Sequence, residues 1–570
     1  MQTLVKRFDA NLFLIIFSML CATVVCAAEQ RSIPCVERMP NIPKTYHLRD
    51  WKRVAIGFDE LAMNVEAKGR YLPIVKLYER SGSTNMAMPS YVGPTGEPQS
   101  FDEAIPALGA ILGASLVGID KRKGPVNWVE SARQYYNPKE KLVLNRVGGN
   151  AGHTYWYETF PHILYYSIAY LYPDKSSEEI VLASAGRWRE ACLAMKPEQG
   201  VIDFNHLAFD FNTLKPVLGR WVEPDGAAGI SWIEYMAWMK SHDTNFLKAA
   251  TDCMDALAAR TENPYYEVQL PFGAYVAARL NAEQGRTYDV GKIINWCFDQ
   301  TSRARPDMGM ICEAWGDLEM YGLYGSVNRQ PWRPAGGGYA FAMNTYAMVW
   351  PLVPLVRYDP RFARAIGKWV LNAASASRYF YANATSAEQQ SCPAWKGDPE
   401  SVIAYEGIRY KWWKEEGDRV IVGGDPTREK WAFKTDFGIY GSALVGVLGS
   451  IIEKTEVTGI VRLDCRVTDF YCTAAYPTYL YYNPFAQEKS VKLAVGPKGA
   501  DIYDAVSQRF VARNVKGLAT ITVPRDGAVL AVLTPAGGRQ TQDGQKMLIN
   551  GVVVDYRTGE QGDAQNRRGQ

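Results

Sequence analysis

The chain has 570 residues, is 47% hydrophobic and 22% charged, and carries a formal net charge of +3 spread without a long basic block. That length exceeds one ordinary core, and that composition excludes a disordered, collagen-like or nucleic-acid-binding chain. Aromatic residues reach 12%, with 16 Trp and 34 Tyr, enough either for a densely packed core or for flat rings displayed in a groove.

Lys6 and Arg7 precede an apolar run from Leu12 to Val25 that ends in Cys26, Ala27 and Ala28. This is the layout of a secretory signal cleaved after Ala27 or Ala28, so residues 1–28 are assigned as a signal peptide. No other run is long enough to span a bilayer, and the mature protein is expected to be periplasmic or extracellular. Of the 10 cysteines, Cys21 and Cys26 leave with that segment. The rest allow disulfides in an oxidising compartment, with Cys465 and Cys472 the easiest local pair. No Cys-x-x-Cys occurs, which argues against structural zinc.

Residues 29–120 read as an N-terminal arm with the first helices: amphipathic from Tyr46 to Asn64, extended from Tyr71 to Tyr78, then apolar from Phe101 to Gly118 after a Pro/Gly/Ser-rich loop. Residues 121–468 repeat one unit: a polar loop, an apolar helix, an Asp turn and a second helix. The spacing predicts helix pairs at Tyr155–Tyr172 with Ser177–Met195, Ile230–Lys240 with Phe246–Ala259, Phe272–Ala282 with Val290–Phe298, and Tyr339–Val356 with Phe362–Ala374. Ser401–Trp413 and Phe437–Lys454 are expected to supply a further pair. Asp at each turn is a good N-cap and needs no catalytic role. Hairpins of this kind stack because none buries its apolar face alone, and ten to twelve helices close naturally into an (α/α) toroid. From 469 to 556 the period changes to short strands separated by Asn-Pro, Gly-Pro and Asp-Gly turns, which predicts a small all-β sandwich. Residues 557–570 are polar and are expected to form a flexible tail. The fold class is therefore mainly α, a toroid of helical hairpins followed by a β-sandwich.

The candidate chemistry lies in the loops that open the inner helices. Gly148 to Gly152 lacks both the Gly-x-Gly-x-x-Gly spacing and the Lys-Ser/Thr ending of nucleotide loops. It does place Asn150, His153, Tyr155 and Trp156 where a ligand can approach the backbone closely. A second loop carries Trp221, Glu223 and Asp225, and a third carries Glu313, Trp315 and Asp317, followed by Trp332 and Arg333. Glu406 and Asp436 occupy two more. Carboxylates at helix N-termini are favoured by the macrodipole alone. Five successive loops mixing acids, rings and glycines nevertheless suit a neutral hydroxylated ligand. Hydrolysis of a glycosidic bond needs two carboxyls, one protonated and one acting as base or nucleophile.

Helical hairpins joined by Asp turns, acidic aromatic loops and a trailing β-module resemble the six-hairpin glycosidase superfamily. The resemblance is architectural and matches no single family motif. It implies a secreted glycoside hydrolase, and the loop acids Glu223, Asp225, Glu313, Asp317 and Asp436 are the candidates for its catalytic pair. Asn150, His153, Tyr155, Trp156, Trp221, Trp315, Trp332, Arg333 and Glu406 would then contact an oligo- or polysaccharide substrate. The chain also resembles toroid-plus-sandwich polysaccharide lyases, which would instead use Asn150, His153 and Tyr155 on a uronate. A non-catalytic glycan-binding protein is the third reading. No cofactor is implied; the loops offer hard oxygen donors of the kind Ca2+ takes, without EF-hand spacing.

Overall fold

The structure, a computed structural model, describes residues 29–80, 82–97, 102–327, 336–391 and 401–556. The proposed signal segment and the 557–570 tail lie outside the described residues. The chain is helix-rich, with a separate sheet-rich C-terminal region. Its principal helices are α1 (Trp51–Ala62), α2 (Ala104–Leu116), α3 (Tyr155–Leu171), α4 (Lys175–Met195), α5 (Gly226–Ser241) and α6 (Thr244–Ala258). They continue as α7 (Leu270–Gln284), α8 (Val290–Phe298), α9 (Ala342–Tyr358), α10 (Ala363–Ala376) and α11 (Tyr440–Ile451). The Asp turns do what their residue type dictates. Asp174, Asp243, Asp289 and Asp359 each accept a hydrogen bond from a backbone N–H of the element they precede.

Helices α2, α3, α5, α7, α9 and α11 each pack on the next, and α11 packs back on α2, so the contacts close into a cycle. These six are buried nearly all round; in α9 every residue but Met343 is buried. A helix apolar on every face belongs inside, and the amphipathic α1, α4, α6, α8 and α10 cover the outside. Closure between α11 and α2 depends on glycine. A Cβ at Gly113 would come within 2.9 Å of the Ala443 carbonyl oxygen, and one at Gly446 would collide with the Gly113 backbone.

The inner helices run the same way, because their N-terminal ends meet. Tyr440 opens α11 and donates to Glu103, just before α2, at 2.5 Å. Thr159 in the first turns of α3 donates to Gln269, just before α7, at 2.6 Å. The backbone N–H of Tyr266 donates to Asp225, at the start of α5, at 3.1 Å, and Asn344 in α9 donates to Glu267 at 2.8 Å.

The opposite end is plugged by residues 465–476. Thr468 donates to the Trp350 carbonyl oxygen at 2.8 Å, Tyr471 to the Tyr166 carbonyl oxygen at 2.8 Å, and Arg279 to the carbonyl oxygens of Phe470 and Tyr471 at 3.2 Å each. Asp469 receives Tyr275 at 2.5 Å and Tyr358 at 3.0 Å, and pairs with Arg357. Access to the middle of the cycle is therefore from the N-terminal end.

Two larger sheets, besides smaller ones of two or three strands, complete the fold. Strands β1 (Met308–Met310), β2 (Tyr324–Ser326), β3 (Gly338–Phe341), β4 (Gly407–Tyr410) and β5 (Val420–Val422) form an antiparallel sheet in the order β5-β4-β3-β2-β1. The helix expected over Ser401–Trp413 is absent: Ile408 and Arg409 pair with Ala340 and Tyr339 on one side and with Val422 and Ile421 on the other. A β-branched residue beside Gly407 suits that pairing better than a helix interior.

The C-terminal sheet begins before the expected boundary at 469. Strands β6 (Ile452–Lys454) and β7 (Val461–Asp464) follow α11 directly, then β8 (Thr478–Asn483), β9 (Lys489–Asp504), β10 (Arg509–Val523) and β11 (Gly527–Pro535). Their order is β6-β7-β8-β11-β9-β10. Charged residues interrupt β6 and β7, which hides them from an apolar pattern. Outer helix α10 packs on β8 and β11. A second apolar cluster joins Val491, Leu493, Ile521 and Val523 of the long β9–β10 hairpin to Tyr481, Val529 and Ala531.

Candidate active site

Convergence of six helix N-termini gathers acids at one end. Glu103 precedes α2, Glu158 lies in the first turn of α3, Glu223 and Asp225 precede α5, and Glu267 precedes α7. Glu406 lies beside the start of α9, where its carbonyl oxygen accepts the Ala342 N–H at 3.0 Å. Burial pushes the carboxyls of Glu158, Glu223 and Glu406 up to about 8 and that of Asp225 up to about 7. Burial likewise raises Glu103, against hydrogen bonds from Tyr440, Asn145 and Ser90 that lower it.

Most of these acids are sealed in. Glu223 has no exposed surface, and its two oxygens accept the Trp221 indole N–H at 3.0 Å and the Trp156 backbone N–H at 2.9 Å. It fastens the 221 loop to the start of α3. Asp225, also without exposed surface, holds the backbone at Tyr266. Neither carboxyl of the pair expected to reach substrate has exposed surface here. Glu158 accepts the backbone N–H groups of Gly152 and His153 at 2.6 and 2.7 Å, which fixes the glycine-rich loop.

The open mouth has other walls. Tyr91, Tyr157, Tyr266, Glu267, Arg305 and Phe341 are half-buried there, and Trp221 and Trp431 are exposed. Tyr91 donates to Glu406 Oε1 at 3.0 Å and meets Tyr440 edge-on at 5.7 Å between ring centroids. The other oxygen of Glu406, Oε2, is buried and has no hydrogen-bond partner among the described residues. Two glycines leave room beside it: a Cβ at Gly424 would come to 2.6 Å from Oε2, and one at Gly438 to 3.3 Å from Cδ. Across the start of α9, Glu267 pairs with Arg305 and accepts from Asn344. Arg305 also lies over the rings of Tyr266 and Phe341, at 5.5 and 5.9 Å. Trp221 and Tyr266 lie parallel, with 4° between their planes and 6.3 Å between centroids, as a flat rim. Burial pushes the Tyr266 hydroxyl up to about 12 and raises Tyr91, Tyr157 and Tyr440 further, so these phenols stay protonated.

A cavity of about 530 Å³ runs from Glu103 and Tyr157 to Asn150 and His153, which brings the first loop to the same end. Tyr155 is not part of it. It is fully buried, with its hydroxyl against His206 Nδ1 at 3.2 Å, and cannot act on a substrate. Trp156 is buried too, its ring 3.8 Å from that of Tyr157.

The third loop belongs elsewhere. Between β1 and β2 it forms a hairpin tip that packs on the N-terminal arm and on outer helix α10: Glu319 accepts Thr45 N–H at 2.7 Å, and Trp369 donates to the Gly322 carbonyl oxygen at 3.0 Å. Glu313 and Asp317 are exposed on that tip, and Trp315 is fully buried against Tyr410. Their alternation of acid, ring and glycine marks a tight hairpin rather than a binding loop. Asp436 is half-buried and accepts from Tyr71 at 2.6 Å. Trp332 and Arg333 lie outside the described residues. Sequence reasoning missed Glu103, Glu267, Tyr91, Tyr157 and Arg305. Glu267 carried a readable signal, since it stands just before the helix predicted from Phe272, whereas Glu103 lies inside the apolar run expected from Phe101 to Gly118.

The sealed acids make stability depend on pH. Glu158, Glu223 and Glu406 bind a proton more tightly folded, at about 8, than at their ordinary 4.5. Their contribution is whole below about 4.5, falls as pH rises toward about 8, and is gone above it. The protein is expected to melt at a higher temperature at pH 5 than at pH 8.5. Calorimetry across that range tests this, and a melting point that rises with pH would contradict it.

No protein-family model matches the chain, and no curated protein matches it. Solved structures similar to it include a GH127 β-L-arabinofuranosidase from Geobacillus stearothermophilus T6, at TM-score 0.35 and 12% identity over 89% of this chain and 85% of that one. Another is an unsaturated glucuronyl hydrolase specific for heparin, at TM-score 0.36 and 11% identity over 70% of this chain and 95% of that one. A third is described as a glycoside hydrolase, at TM-score 0.33 and 9% identity over 77% and 73%. All three are carbohydrate hydrolases by name. Scores this low leave the assignment of this chain to the geometry of its own site.

Proposed function

We propose that this protein is an exported glycoside hydrolase, an (α/α) toroid that binds an oligo- or polysaccharide at the N-terminal end of its inner helices. One observation carries the reading: Glu406, buried beside the half-buried Tyr91, has its carboxyl pushed up to about 8 and its Oε2 without a hydrogen-bond partner among the described residues. A carboxyl that keeps its proton at neutral pH is what a leaving glycosidic oxygen needs. Glu267, whose oxygens are held by Arg305 and Asn344, is the candidate for the charged partner that acts as base or nucleophile. Trp221, Tyr266 and Trp431 offer flat faces to sugar rings.

The lyase reading loses its proposed base with the burial of Tyr155, and the remaining phenols of the mouth are raised away from the phenolate form. A binding-only protein has no use for a protonated acid held at the mouth. Incubation with a panel of glycans, read for new reducing ends and for ultraviolet-absorbing unsaturated products together, tests the choice. Reducing ends alone are expected. Unsaturated products would replace hydrolysis with elimination, and affinity without turnover would leave only a binder.

A further inference from the structure

Four cysteines that sequence spacing does not pair meet in space. Cys192 of α4 and Cys253 of α6 lie side by side in the outer layer, buried, with their sulfurs 3.5 Å apart and 61 residues between them in sequence. Cys35 of the N-terminal arm and Cys312, two residues past β1, are also in contact: the Cys312 thiol donates to the Cys35 carbonyl oxygen at 3.3 Å. Cys465 instead donates to the Leu463 carbonyl oxygen at 3.6 Å, and nothing in the structure pairs it with Cys472.

We propose that the mature protein is closed by two disulfides, Cys35–Cys312 and Cys192–Cys253. Each requires the sulfurs to approach to about 2 Å. The first would tie the arm to the strand that edges the five-stranded sheet, and the second would tie two neighbouring outer helices. The pairs differ in how they form. Cys192 and Cys253 are sealed in the folded chain, so their bond closes during folding. Cys312 is half-buried, and Arg38 donates to the Cys35 sulfur at 3.4 Å. The neighbouring Cys312 thiol first, and the Arg38 guanidinium after it, favour the Cys35 thiolate, against burial, which opposes it.

The oxidant is a disulfide, small-molecule or protein-borne. The Cys35 thiolate attacks one of its sulfurs and forms a mixed disulfide, and the other sulfur leaves as a thiol after taking a proton. Cys312 then loses its proton and attacks the Cys35 sulfur, which expels the second thiol. Two electrons and two protons pass from the pair to the oxidant.

The test uses the full chain made in an oxidising compartment, with N-ethylmaleimide added at lysis and the unreduced digest read by mass spectrometry. Peptides joining Cys35 to Cys312 and Cys192 to Cys253, lost on reduction, are expected. Maleimide on these four residues, or bridges to other partners such as Cys465 to Cys472, would overturn the assignment, and each bond stands or falls on its own peptide. In a second arm, the purified chain is reduced and re-oxidised with glutathione disulfide. Arg38→Gln is expected to slow closure of Cys35–Cys312 roughly tenfold at neutral pH. An unchanged rate would remove the role given to Arg38.

Discussion

Glu406→Gln is expected to lower turnover on any glycan the protein cleaves by roughly 10²–10⁴-fold, the usual contribution of a positioned general acid. The amide keeps the shape of the carboxyl and can still accept the Tyr91 hydroxyl, whose bond to Oε1 measures 3.0 Å. It has no acidic proton to give a leaving oxygen. The KM should therefore change little while kcat collapses, the pattern of an interaction made only in the transition state. The pH profile supplies an independent check. With the acid at about 8, the wild-type rate should hold through neutrality and fall as pH rises past that value. Substrates with a good leaving group, such as aryl glycosides, need little help from an acid and should rescue the variant. Glu223→Gln is the matched control. It is as buried and as raised in pKa, yet both its oxygens are taken by Trp221 and Trp156, so it should cost stability and leave kcat within about tenfold. Loss of turnover in Glu223→Gln with Glu406→Gln intact would reverse the two roles.

The helical hairpins were legible because two local signals agree at each of them. An apolar run long enough for a helix ends at an aspartate, and the aspartate caps the next element through its own side chain. Closure of the cycle was an inference from helix number, and the glycines at the α2–α11 crossing are its physical means. The strands of the five-stranded sheet were not legible. They are two to three residues long once their charged and glycine positions are set aside, and partners as distant as Tyr339 and Arg409 define them.

The site was legible only as a place. Loop composition pointed to one end of the helices through Asn150, His153, Trp221 and Glu406, but composition does not report burial. Tyr155 and Tyr157 make the point on a single helix. Residues two apart on α3 face different directions, so one phenol is sealed against Trp188 and His206 while its neighbour opens on the mouth. In the same way Glu223 and Asp225 have the residue types of a catalytic pair and the surroundings of loop fasteners. A glycine-rich acidic stretch such as 312–325 reads alike whether it lines a cleft or turns a hairpin, because both need sharp backbone and soluble side chains.

Asp469→Ala should be the most damaging single change away from the mouth. Asp469 is 1% exposed and gathers Tyr275, Tyr358 and Arg357 at the plugged end of the cycle. Alanine would leave the Arg357 guanidinium buried without its anion, a loss of about 3–5 kcal/mol for a broken buried pair. The damage should spread beyond the pair. Residues 465–476 connect β7 to β8 and bond to the C-terminal portions of α3, α7 and α9, so this segment makes the sheet region and the helices melt together. Calorimetry of the wild type should then show one dominant transition, and of the variant two, with the sheet-rich region separating from the helices. Asp469→Asn, which still accepts from the two phenols but carries no charge, should fall between them. Below its lower transition the variant should keep the wild-type kcat, because the mouth proposed as catalytic lies at the other end of the inner helices. A variant that melts with the wild type would mean that Arg357 finds solvent or another anion, and the plug would then contribute packing alone.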